Sequence, residues 1–103
     1  MKKNRTSTHA YIEHRAEIAN GKAIITGTRI KVSQVALEYE RLGWTPDQIV
    51  DAHPQLTLAQ VHDALSYYYE NQAELDAELA AEEKLVEELR NLYPSKLTSA
   101  HAG

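Results

Sequence analysis

The 103-residue chain contains no cysteine. This excludes a disulfide framework, a thiolate zinc site and a cysteine nucleophile. It has only four glycines and three prolines, and none of either falls between Leu58 and Leu92. No uninterrupted apolar run exceeds four residues. A membrane-spanning helix needs about 20, so no membrane partner is expected. The basic start Met1-Lys2-Lys3 has no apolar segment behind it, which argues against a secretory signal. A cytoplasmic location is the expectation. Gly-x-x-x-x-Gly-Lys-Thr and Gly-x-Gly-x-x-Gly are both absent, so no nucleotide cradle or other cofactor site is indicated.

The charge that is present is unevenly placed. Residues 1–44 hold eight cations against four acids, and residues 70–90 hold eight acids against Lys84 and Arg90. Residues 45–69 contain no lysine or arginine at all. A basic front and an acidic back suggest two kinds of partner surface. A solvated acidic helix behind a basic arm explains the same pattern.

The hydrophobic periodicity predicts a mainly helical protein. Residues 1–10 have no period and read as a flexible arm. Residues 11–19 allow a short strand, and Asn20-Gly21 signals a turn. Residues 23–26 and 29–32 are two β-prone runs around Gly27-Thr28. In the second, Ile30 and Val32 alternate with Arg29 and Lys31, which places the cations together on one face. Ser33 reads as the cap of a helix carrying Val35, Ala36, Leu37, Tyr39 and Leu42, stopped by Gly43. Thr45-Pro46-Asp47 opens a second, short helix that His53-Pro54 ends. Thr57 caps a third, with Leu58, Val61, Ala64, Leu65 and Tyr68 on its apolar stripe. Neighbouring helical residues point about 100° apart. Tyr67-Tyr68-Tyr69 therefore cannot share one core; Tyr68 and Tyr69 are assigned to it, and the remaining tyrosine to an interface. Residues 73–93 read as an acidic amphipathic helix, separated by a break near Asn71-Gln72. Residues 94–103 read as a flexible tail.

The expected architecture is a helix-turn-helix-like three-helix core over residues 11–72, with a small N-terminal β element and a C-terminal helical extension. In such a unit the third helix presents its first turns to the major groove. The presented residues would be Thr57, Gln60, His62 and Asp63. Gln60 suits an adenine edge, and Thr57 a phosphate or a thymine methyl. Arg29 and Lys31, with Ser33, would meet phosphates. Leu75, Leu79, Val86 and Leu89 form the stripe offered to a protein partner.

Three segments resemble one family. They are Gly-Lys-Ala-Ile-Ile-Thr-Gly-Thr-Arg-Ile-Lys-Val (21–32), Leu-Gly-Trp-Thr-Pro-Asp-Gln-Ile (42–49) and His-Pro-Gln-Leu-Thr-Leu-Ala-Gln-Val-His-Asp-Ala-Leu-Ser-Tyr-Tyr (53–68). In this order they are similar to the bacterial family called domain of unknown function 433. The resemblance implies a helix-turn-helix-like fold. It further implies a homodimeric DNA-binding antitoxin of a toxin–antitoxin pair. Such a protein binds its operator on double-stranded DNA, represses its own operon and neutralises a PIN-like ribonuclease toxin. The alternative is a protein–protein interaction module without DNA binding, favoured by the missing cations in residues 45–69.

Several features have plainer readings. Gly27-Thr28-Arg29 serves as well for a hairpin turn, with Arg29 pairing to Asp51 or Glu38, as for a phosphate loop. Trp44 caps a small core. The five histidines show no His-x-x-x-His spacing, so no metal is expected. No Gly-x-Ser-x-Gly elbow surrounds any serine, and no convergent catalytic group is visible, so an enzyme is not expected.

Overall fold

The computed structural model describes residues 9–92. The tail expected over residues 94–103 and the first eight residues of the expected arm lie outside these described residues. Two strands and four helices follow in order: β1 (Ile12–His14), β2 (Ala23–Ile25), α1 (Val32–Glu40), α2 (Pro46–Ala52), α3 (Leu58–Glu70) and α4 (Gln72–Leu92). A mainly helical protein with a small N-terminal sheet is what the periodicity requires.

The sheet corrects one expected pairing. The partner of β2 is β1, antiparallel, with Ile12 opposite Ile25 and His14 opposite Ala23. Residues 29–32 form no strand. They return through a turn in which the amide of Thr28 donates to the carbonyl of Ile25 at 3.0 Å. A single bridge, Ile24 to Lys31, follows. Val32 already begins α1, which leaves this segment too short for a ladder. Of the expected alternation, Val32 is buried and Arg29 exposed, whereas Ile30 and Lys31 are both half-buried. The turn before β2 runs through Ala19, Asn20 and Gly21, with φ of 53°, 57° and 80°. This left-handed path suits Asn and Gly better than Ala.

Ser33 does not cap α1. The cap is Lys31, with extended backbone angles and no side-chain cap bond. Ser33 sits one position inside the helix, fully buried. At the other end, Gly43 takes φ +74°. This lets the Trp44 amide donate to the carbonyl of Glu38 at 2.9 Å.

The second and third helices start as their sequences dictate. Thr45 and Thr57 each form a capping box with the glutamine three residues on. Two otherwise free amides are thereby satisfied at each start. The core joins Ile25, Val32, Val35, Ile49, Leu56, Val61, Ala64, Leu65 and Tyr68 to Leu75 of α4. Trp44 packs against it partly buried, and so does Tyr67. Tyr69 does not belong to the core: it is 49% exposed. Tyr68 is the buried tyrosine, and its hydroxyl donates to Asp76 at 2.7 Å. That bond spans the α3–α4 break at Asn71.

Candidate functional site

The helix-turn-helix-like face is built from α2, the turn at residues 53–57, and the start of α3. Its geometry alters the expected residue roles. The Thr57 amide donates to Oε1 of Gln60 at 2.8 Å, and the Gln60 amide donates to Oγ1 of Thr57 at 3.2 Å. The acceptor that Gln60 would need for a bidentate adenine contact is already in use. His62 is exposed, as expected. Asp63 is not presented. Its Oδ1 accepts from Nδ1 of His9 at 2.9 Å, and its Oδ2 accepts from the Tyr11 amide at 2.9 Å. The exposed positions around His62 are Leu58, Ala59 and Ser66, and α2 adds Asp47 and Asp51. Among the described residues no lysine or arginine stands on this face.

The expected phosphate contacts fare unequally. Arg29 is exposed. Among the described residues it makes no ion pair with Asp51 or Glu38. Lys31 is half-buried, and its ammonium donates to Glu82 of α4. Arg41 likewise donates to Glu83. Ser33 is removed from any outer surface, because its position in the first turn of α1 points it into the core. Near it, burial pushes the Glu78 carboxyl above the usual carboxylate range, against the lowering pull of Lys22 and Lys31.

The expected partner stripe divides in two. Leu75 and Leu79 are buried within the chain itself. They pin the first half of α4 to the core and are not available to a partner. Every residue from Glu83 to Leu92 is exposed. Leu85, Val86, Leu89 and Leu92 are therefore large apolar groups in solvent, at 55%, 46%, 42% and 69% exposure. Where the arm leaves the body, Leu37, Leu79 and Val86 line a groove of about 550 Å³, with Glu82, Glu83, Glu87 and a single cation, Arg90, on its walls.

Two polar clusters were not legible in the sequence. His9 is held by Asp63 through Nδ1 and by Glu70 through Nε2, at 2.9 and 2.6 Å. His9 thus belongs to the fold, not to a flexible arm. Burial alone would lower its pKa, but the hydrogen bonds to Glu70 and Asp63 outweigh burial and raise it. Glu38, only 3% exposed, accepts from His53 and from Gln34. Gln34 and Glu38 are one helical turn apart, but His53 and the partners of His9 are distant in sequence and carry no local spacing signal. Among the described residues no group of three or more His, Asp or Glu side chains is arranged to hold a metal ion. No described helix is long and apolar enough to cross a membrane.

The family described as "Protein of unknown function (DUF433)" matches residues 12–68. The chain belongs to the DUF433 family. Among solved structures it is similar to the crystal structure of a DUF433 member from Anabaena variabilis, with 28% identity over 68% of each chain and a TM-score of 0.61. No curated protein matches significantly. The family match covers the sheet and α1 to α3 and ends at Tyr68, ahead of α4. The match thus spans the sheet and most of the three-helix core, and α4 lies beyond it.

Proposed function

We propose that this DUF433 protein is a binding protein of the antitoxin type. Its α4 arm captures a basic protein, of the PIN-like ribonuclease kind, in the cytoplasm. One observation carries this reading. Leu85, Val86, Leu89 and Leu92 stand in solvent on a helix flanked by Glu82, Glu83, Glu87 and Glu88. Fully burying one such side chain is worth about 1.5–3 kcal/mol. Four on one arm form a helix-in-groove anchor, and the carboxylates select a basic groove. A nuclease cleft that receives RNA phosphates has that charge. A second copy of the acidic arm does not.

The test is co-purification with the protein encoded by the reading frame adjoining this gene, together with a ribonuclease assay. The wild-type chain is expected to form a complex and suppress cleavage. A Val86→Asp, Leu89→Asp double variant should lose both effects with its unfolding midpoint unchanged. Equal capture by both forms, or capture by neither, refutes the reading.

A second reading is that a homodimer of the DUF433 core binds operator DNA and represses its own operon. The helix-turn-helix-like order of α1, α2 and α3 favours it, with Arg29 and His62 exposed. Two-fold symmetry would present two such units to a palindrome. Sedimentation gives the oligomeric state, and a mobility shift on the upstream DNA tests binding. Absence of binding at low salt leaves a protein–protein interaction module.

A further inference from the structure

Two cations of the basic front are engaged within the chain. Lys31 stands at the start of α1 and Arg41 just past its end, as the two flanking residues of that helix. Both are held by consecutive residues of α4, Glu82 and Glu83. Leu75 and Leu79 fix where α4 crosses α1. The two glutamates follow one turn later, at the point where the arm leaves the core. The apolar anchor thus delivers the carboxylates to the cations. Lys22 and Lys31 also act on the charge of Glu78, further back on the same helix.

We propose that α4 competes in cis with duplex DNA for Lys31 and Arg41. A phosphate and a glutamate carboxylate offer these side chains the same chemistry: an anionic oxygen acceptor for an ammonium or a guanidinium. All four partners are partly in solvent, with side-chain exposures of 26% and 37% for Lys31 and Glu82, and 40% and 61% for Arg41 and Glu83. Exposed pairs of this kind are weak, so a phosphate backbone can displace them. While they persist, DNA must break two ion pairs and approach an acidic helix. The inference rests on the DNA-binding reading above. It adds that the arm sets how strongly the core binds, and that a basic partner drawing Glu82 and Glu83 away would release the two cations.

The experiment measures binding of a mixed-sequence duplex of about 30 base pairs to the full chain across about 50–200 mM salt. Glu82→Gln with Glu83→Gln is expected to bind roughly 10-fold tighter at low salt and to steepen the salt slope by about 1.8, for two recovered phosphate contacts. Adding Lys31→Gln and Arg41→Gln should abolish the gain. Glu87→Gln with Glu88→Gln makes the same charge change further along the arm, where neither residue touches Lys31 or Arg41. It should give a much smaller gain. An equal gain from that pair reduces the effect to net charge and overturns the proposal. Wild-type binding with no gain from the Glu82, Glu83 variant overturns the proposal alone. No binding by any form overturns the DNA-binding reading with it.

Discussion

Nε2 of His53 donates to Oε2 of Glu38 across 2.7 Å, tying the end of α2 to the buried side of α1. Nε2 of Gln34 donates to the same oxygen at 2.8 Å, while Oε1 of Glu38 has no partner. Removing His53 would leave a buried carboxylate with one donor, and an under-satisfied buried polar group costs about 1–3 kcal/mol. His53→Ala is therefore expected to lose about that much stability in urea unfolding. Replacing both partners by apolar groups avoids the penalty. Glu38→Met combined with His53→Ala should be more stable than His53→Ala alone. Strict additivity of the two substitutions would show that the pair is not a unit.

His9 gives the fold a pH dependence with a definite sign. Its pKa is raised in the folded state, because the bonds to Glu70 and Asp63 overcome burial. The folded state therefore holds the proton more tightly than the unfolded chain. The stability from this contact is fully present below the ordinary histidine pKa of 6.5. It is lost as pH rises through the raised value. Urea midpoints of the wild type and His9→Gln, measured from acid to alkaline pH, should differ most at the acid end and converge at high pH. A difference that grows with pH would contradict the clamp.

The elements legible in the sequence were those set by neighbours in the chain. Thr45-Pro46 and Thr57 fixed two helix starts through contacts three residues away, and His53-Pro54 fixed an end. The break at Asn71-Gln72 showed only as an interruption in strong helix formers. Ser33 is the local exception, a cap residue placed inside α1; the pairings that the sequence does not reveal involve distant residues. Strand pairing depends on which run lies alongside β2, and Ile12 is 13 positions from Ile25 in sequence. The period within residues 29–32 separates exposed Arg29 from buried Val32, but Ile30 and Lys31 are both half-buried, and the pairing partner is not legible in it. Leu75 and Leu89 share a stripe, so periodicity could not say that one is core and the other surface. The His9 contacts and the His53–Glu38 contact join residues 15 to 61 positions apart, and no local pattern announces them.

Gln60 was expected to read a base, and the fold gives it to the backbone. Its Oε1 accepts from the Thr57 amide. Thr57→Ala should cost about 1 kcal/mol, the usual loss for an N-cap. Gln60→Ala removes the other half of the box, so it too should lower stability. It should leave sequence discrimination on any bound duplex unchanged. Thermal unfolding and competition between operator and mixed-sequence DNA check the two parts. A loss of discrimination at one base pair, with the unfolding temperature unaltered, would return Gln60 to the recognition role.

The division of α4 into anchor and arm makes the sharpest stability contrast in the chain. Leu75 is 0% exposed among core residues, whereas Leu89 is 42% exposed on a segment in which nothing is buried. Truncating a buried leucine removes its transfer free energy and leaves a cavity, at about 2–5 kcal/mol. Truncating an exposed leucine to alanine leaves no cavity, and alanine is the better helix former. Leu75→Ala should therefore lose about 2–5 kcal/mol in chemical denaturation, while Leu89→Ala stays within about 0.5 kcal/mol of wild type. Capture of a partner protein should show the reverse order once both variants are assayed below their unfolding midpoints. Leu89→Ala should bind more weakly and Leu75→Ala nearly as wild type. If Leu89→Ala instead destabilised the isolated chain by as much as Leu75→Ala, the arm would already be packed in solution. The protein would then bury its own stripe in a homodimer, and that stripe would not be free for a partner.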